Sequence, residues 1–239
     1  MVEASRDFVC VRPQTYENAA ELKILSYVFS NRGELQNTSF ALLDPNGEKL
    51  TRGSRSPSMT YGSADGLAKA LRETYARYAS TAKPIEALPV VRDLRLGLNV
   101  AAADMRPLVV VRGKDSAEAE RLAGEVARVA WSASGVGACH YVVLDGASTF
   151  EGLTPELGVT VVQPDPYGHG GEVLAHARST TRGTQLARSI TRGVKAFSAE
   201  AREHDDHVRE ARRRGITWET ETPVTDTHAK GRRGRRRDR

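Results

Sequence analysis

Val159-Thr-Val-Val-Gln-Pro-Asp-Pro-Tyr-Gly-His-Gly-Gly-Glu-Val-Leu174 reads as a strand, a tight turn and a returning strand. The turn is Asp165-Pro-Tyr-Gly168: Pro suits its second position, and Gly accepts a positive φ. The same phrase stands earlier in the chain, as Thr38-Ser-Phe-Ala-Leu-Leu-Asp-Pro-Asn-Gly-Glu-Lys-Leu50. There the turn is Asp44-Pro-Asn-Gly47, followed by Glu48–Thr51 pairing back. A helix signal follows each hairpin. The spacing therefore predicts two related sheet-and-helix units.

Working outward from the second hairpin, Asp93–Ala103 has a helical stripe of Leu94, Leu98 and Ala101. Leu108–Arg112 is a strand. Asp115 and Glu118 have the spacing of a helix-capping pair. The helix they open runs to about Ser132, with Ala119, Leu122, Val126, Val129 and Ala130 inward. Ser134-Gly-Val-Gly137 breaks it. Tyr141–Leu144 is a strand, 145–157 a loop or short helix, and Thr184–Phe197 a closing helix with Leu186, Ile190, Val194 and Phe197 on one stripe. Helices between strands call for parallel pairing, and the close turn calls for an antiparallel pair at the end.

The first hairpin has a similar setting. Phe8–Arg12 reads as a strand and Glu17–Ser30 as a helix with Ala20, Ile24, Leu25, Val28 and Phe29 inward, ended by Arg32-Gly33. Ser39–Leu43 reads as a strand buried on both sides. Residues 52–63 read as a loop, and Ala64–Tyr78 as a helix with Leu67, Leu71 and Tyr75 inward. Together these expectations give a unit over 1–82, a linker over 83–92, a second unit over 93–198, and a remainder over 199–239. In that remainder, 200–214 reads as a solvated helix extension. Residues 215–239 are polar and Arg-rich, and are expected to be disordered alone.

The order of elements in 93–197 resembles the thioredoxin fold. The likeness is carried by Arg106-Pro-Leu-Val-Val-Val-Arg112, Val159–Val162, Asp165-Pro-Tyr-Gly168 and the closing helix. The first half matches from the second strand onward. The expected architecture is α/β, with two thioredoxin-like units, each a mixed sheet with a terminal antiparallel hairpin and flanking helices, plus a disordered basic C-terminal tail. The resemblance implies a redox dithiol directly after the first strand, where a helix N-terminus lowers the thiol pKa. Gly113-Lys-Asp-Ser-Ala-Glu118 occupies that place and holds no sulfur. The cis-proline that the resemblance implies would fall near Thr160, and near Asn37-Thr38 in the first unit. Neither position is Pro. The first unit lacks the opening strand, so an upstream extension carrying Cys-x-x-Cys is one expectation, and a trimmed domain the other.

Composition bounds the remaining possibilities. The chain has 239 residues, two cysteines and a formal net charge of +5. No apolar run reaches the length of a membrane span, and Met-Val-Glu-Ala-Ser-Arg-Asp does not read as a secretory signal. Two cysteines with no Cys-x-x-Cys exclude a disulfide scaffold and a Cys-rich zinc site. The expected location is the cytoplasm. The run Lys230-Gly-Arg-Arg-Gly-Arg-Arg-Arg-Asp-Arg239 carries more positive charge than the whole-chain excess, so the rest is close to neutral.

Cys10, between Val9 and Val11, reads as a buried inert thiol in a strand. Cys139 precedes a strand beside His140. Adjacent strand residues face opposite ways, so His140 is poorly placed to activate it. A Cys10–Cys139 disulfide would require the two halves to face each other in a specific way. His169 and His176 flank the second hairpin and would need His140 to complete a metal site; surface histidines are the commoner reading. Gly168-His-Gly-Gly171 lies between strands, whereas phosphate loops precede helices. Asp44 and Asp165 have a sufficient role in their turns. No catalytic residue, cofactor or metal is expected.

Lys230, Arg232, Arg233, Arg235, Arg236, Arg237 and Arg239 would attract nucleic acid or an anionic surface through counterion release, without sequence preference. Aromatics for base stacking are missing there; Trp218 stands well before it. A merely solubilising tail is an equal reading. The sequence thus points to a thioredoxin-like scaffold or binding module with an unspecified protein partner, and to an oxidoreductase only with an upstream Cys-x-x-Cys. The alternative is an accessory nucleic-acid-binding protein acting through its tail. No Gly-x-Ser-x-Gly or Walker-type loop supports a hydrolase or transferase.

Overall fold

A computed structural model describes residues 2–11, 13, 18–31, 34–35, 40–51, 54, 56–80, 86–91, 93–146, 155–199, 201–217 and 222. The chain divides into two compact units, residues 1–83 with 218–239, and residues 84–217. The expectations placed on Arg12, Glu17, Arg32-Gly33, Asn37-Thr38, Ser39, Trp218 and the tail from Lys230 to Arg239 lie outside the described residues, as do 81–85 and 147–154.

The first unit is mainly helical where it is described. Its elements are α1 (Val2–Ser5), α2 (Ala19–Phe29), β1 (Ser30–Asn31), β2 (Glu34–Leu35), α3 (Pro57–Tyr61) and α4 (Ala64–Tyr78). Asn18 sets the start of α2: its side-chain oxygen accepts the Ala20 N–H at 2.9 Å and the Glu21 N–H at 3.3 Å. Leu25 and Val28 are buried, whereas Ile24, expected inward, is exposed. Ser63 caps α4 by accepting the Gly66 N–H. Leu67, Ala68 and Leu71 turn inward with Thr74, and Tyr75 is displaced outward. A small core of Ala4, Leu42, Leu67, Ala68 and Leu71 results, bordered by Phe8, Phe40, Leu50 and Tyr61.

Three expectations for this unit are corrected. Residues 8–11 form no strand; Val9 and Val11 are 53% and 74% exposed, so no apolar face holds them in place. The segment after Ser39 is not a strand buried on both sides. It meets its surroundings through two isolated antiparallel bridges, Phe40 with Ser54 and Leu43 with Lys49, and Leu43 is exposed. Within the expected loop 52–63, Pro57 opens the short helix α3, since a missing N–H costs nothing at the first helical position.

The second unit carries α5 (Leu94–Ala103), β3 (Leu108–Gly113), α6 (Ser116–Ala130), β4 (His140–Asp145), β5 (Gly158–Pro164), β6 (Gly171–Arg178), α7 (Gly183–Ala196) and α8 (His204–Arg213). Its four-stranded sheet has the order β4-β3-β5-β6. β3 and β4 are parallel, joined by α6; β5 runs antiparallel to β3, and β6 antiparallel to β5. Helices cover both faces, which explains the unbroken apolar run of β3. Val109 and Val111 face Leu122 and Val126 of α6 and Leu186 and Ile190 of α7. Leu108 and Val110 face Leu94, Leu98 and Ala101 of α5. The pairing of β5 with β6 slips between Val161 and Val162, leaving Leu174 as an extra residue in β6. At the opposite edge, Val90 bridges to Tyr141 in parallel. The architecture is thus a mixed α/β unit on a four-stranded mixed sheet.

Candidate functional site

The end of β3 and the start of α6 form the place where the resemblance puts a dithiol. Gly113 brings the backbone close, because a Cβ there would lie 2.3 Å from the Ala119 nitrogen. Asp115 is the N-cap of α6, and its carboxylate accepts the Glu118 N–H at 2.8 Å. Glu118 answers by accepting the Lys114 N–H at 2.9 Å. That bond holds the Glu118 carboxyl below its ordinary pKa. The capping pair expected from spacing is therefore formed from Glu118 to Asp115, while the return bond to the Glu118 carboxylate comes from Lys114, one residue before the cap. The helix terminus, which elsewhere would stabilise a thiolate or phosphate, is occupied by the chain's own carboxylates. Ser116 adds a bond from its hydroxyl to Asp145 Oδ2 at 2.8 Å.

Arg112, at the end of the same strand, is fully engaged with backbone. Its Nε and Nη2 donate to the Gly146 carbonyl at 3.2 and 3.0 Å, and its Nη1 donates to the Pro155 carbonyl. One guanidinium thus ties together the two ends of the β4–β5 connection. Nothing in the local sequence signals this role, because the partners stand 34 and 43 residues away.

The second candidate lies at the opposite end of the strands. Cys139 is buried at 8% exposure among the residues packed under α6, beside Tyr141. Burial pushes its thiol up to about 11 and pushes the Tyr141 phenol up as well. A thiol held protonated is a poor nucleophile. His140, one residue on, takes the other direction and pairs through Nε2 with Asp104 Oδ2 at 3.0 Å. The sequence reading of opposed side chains agrees with this geometry, and it separates the only Cys-His neighbours from each other. Asp104 as the partner of His140 was not legible, since it depends on α5 ending beside β4.

Cys10 is exposed, which corrects its reading as a buried thiol; with no strand formed over 8–11, nothing covers it. Both cysteines are free. His176 accepts or donates a bond with Thr160 Oγ1 at 3.0 Å through Nδ1 and lies 3.5 Å from Glu156 through Nε2. Among the described residues no group of three His, Cys, Asp or Glu side chains could hold a metal.

The two Asp-Pro-x-Gly turns do repeat. Asp44 Oδ1 accepts the Asn46 and Glu48 N–H groups, both at 2.8 Å, and Asp165 Oδ1 accepts the Tyr167 N–H at 2.7 Å. Each turn is closed from the Gly N–H to the Asp carbonyl at 3.0 Å. The second turn carries an addition. Tyr167 stacks on His207 of α8 at 4.4 Å between ring centroids, and Arg214 lies 5.5 Å over the same ring. α8 buries no residue of its own, and this aromatic clasp attaches it to the turn. Glu210 in turn binds Arg213 and Arg214 and is held below its ordinary pKa by the Arg214 bond.

Comparison with protein-family models, curated proteins and solved structures finds no match. No described helix is long and apolar enough to cross a membrane.

Proposed function

We propose that the chain is a thioredoxin-like protein without a working dithiol, acting as a non-catalytic scaffold or binding module. One observation carries the reading: the sheet order β4-β3-β5-β6, with its senses, supports the resemblance, while a capping pair fills the place of the dithiol. A helix N-terminus that already donates to the Asp115 carboxylate, with the Glu118 carboxylate beside it, offers little electrostatic help to an incoming thiolate. The buried, protonated Cys139 lies at the other end of the strands and gives no substitute.

The test has two arms. The purified chain should not accelerate insulin reduction by a thiol reductant; catalysis would overturn the inactive reading. The second arm tests the kinship itself. Asp115 and Glu118 stand three residues apart at the cap and third position of α6, so Asp115→Cys with Glu118→Cys places a Cys-x-x-Cys where the fold carries it. That double variant should form an internal disulfide and gain insulin-reducing activity over the parent. A folded double variant that stays fully reduced under oxidant, or oxidises without gaining activity, would sink the kinship.

A further inference from the structure

α7 differs from the other long helices in how it treats charge. On α4, Lys69 pairs with Glu73; on α6, Arg121 pairs with Glu118 and Arg128 with Glu125; on α8, Arg209 pairs with Asp206, and Arg213 and Arg214 with Glu210. These are neighbours one turn apart on a solvated face. α7, Gly183-Thr-Gln-Leu-Ala-Arg-Ser-Ile-Thr-Arg-Gly-Val-Lys-Ala196, contains no acidic residue. Its Leu186, Ile190 and Gly193 are buried against the sheet, with Gly193 close enough to β5 that a Cβ would lie 2.6 Å from Val161 Cβ. The opposite side presents Arg188, Arg192 and Lys195, all exposed. Their spacing of four and then three residues puts them on one ridge, about 10 Å long along the helix axis. Among the described residues none of the three makes an ion pair.

We propose that this ridge of α7 is a contact site for the phosphate backbone of duplex nucleic acid. Three cations in a row with no ion pair among the described residues, flanked by the exposed hydroxyls of Thr184 and Thr191, match a surface bearing one negative charge per ~1.7 Å of axis. The helix is fixed to the sheet before any ligand arrives, so the cations are presented without an ordering cost to the backbone. The ridge has no exposed aromatic on which unpaired bases could stack, which favours a duplex over a single strand. It has no large exposed apolar side chain to enter a bilayer, which disfavours a lipid surface. Contact is to phosphates alone, so it is independent of base sequence. The inference stands apart from the thioredoxin-like reading.

The experiment is fluorescence anisotropy of the full chain with a labelled duplex DNA of arbitrary sequence, titrated across salt. Arg188→Gln with Arg192→Gln and Lys195→Gln should weaken binding at least tenfold at low salt. It should also flatten the slope of log affinity against log salt by about 2.7, which is ~0.9 for each of the lost contacts. The same change should appear in a full chain whose seven tail cations are replaced by Gln, since the ridge acts independently of them. Arg188→Lys with Arg192→Lys keeps the charge and should restore the slope. Circular dichroism and an unchanged melting temperature establish that the triple variant is folded. A parent chain that does not bind, a triple variant that binds as the parent does, or a ridge effect confined to anionic phosphatidylserine vesicles would each overturn the proposal.

Discussion

The hairpin at 40–51 and the hairpin at 158–178 share a turn and little else. Both turns use an Asp carboxylate to hold the following N–H groups, and both place Gly at a positive φ, +85° at Gly47 and +68° at Gly168. Around the second turn grow two strands of seven and eight residues, the inner one seated against β3. Around the first, the described residues form two single-residue bridges. A turn is decided by its own four residues, whereas a ladder needs a neighbouring strand and an apolar layer beneath it. β5 has both. Residues 40–43 have a hairpin partner and a core of five buried side chains, against thirteen buried residues on one face of the second sheet alone.

Hydrogen exchange is the strongest way to break that contrast. Amides of Val109–Val111 and Val159–Val162 should exchange on the order of a thousandfold more slowly than those of Phe40 and Leu50, since they open only with the whole sheet. Equal protection of the two hairpins would show that the first is a full ladder in solution.

Thiol chemistry comes next in size. With its pKa near 11, Cys139 should hold roughly one thiolate in a thousand at about pH 8, and its side chain is buried as well. Cys10 is exposed. A chromogenic disulfide reagent should therefore release one fast equivalent from the native chain, abolished by Cys10→Ser, and a second only on denaturation.

The two turn glycines sharpen the comparison at the level of single residues. A Cβ at Gly168 would lie 2.5 Å from the Asn99 Cα, whereas nothing stands within 4 Å of one at Gly47. Gly47→Ala should cost about 1 kcal/mol through its φ alone. Gly168→Ala adds a clash with the backbone of α5 and should cost about 3 kcal/mol. Urea unfolding checks both, and equal costs would mean that the second turn does not press on α5 as described.

The smallest effect is acid dependence at the start of α6. Because the Lys114 N–H lowers the Glu118 pKa from its ordinary value of 4.5, the carboxylate's contribution is complete above that value. It is lost as pH falls through the lowered, folded-state pKa. Glu118→Gln keeps an acceptor for the Lys114 N–H but cannot titrate. Its melting temperature should fall less than the parent's as the pH drops below about 4.5; parallel curves would show that the bond is not made.

The legible parts of the fold were those with a local cause. α4, α5, α6 and α7 announce themselves through an apolar stripe and, for the first three, a Ser or Asp cap, and both turns through Asp-Pro and Gly. Pro57 after Ser56 was an available signal for α3 that the Gly/Ser/Pro-rich surroundings masked. The strand expected over 8–12 failed because Val9, Cys10 and Val11 have the right residue types but no sheet to join. In the candidate site, the Asp115–Glu118 pair was readable because it spans one helical turn. Arg112 with Gly146 and Pro155, and His140 with Asp104, were not, because each joins elements brought together only by the sheet.

The register slip at Val161 and Val162 has a consequence for the sheet's outer boundary. A single surplus residue in β6 bends that strand and breaks the even row of N–H and C=O groups it would offer to a newcomer. A foreign β-chain laid alongside would have to copy the kink to keep its bonds. The kinked hairpin is thus a poorer template for self-association than a regular strand would be.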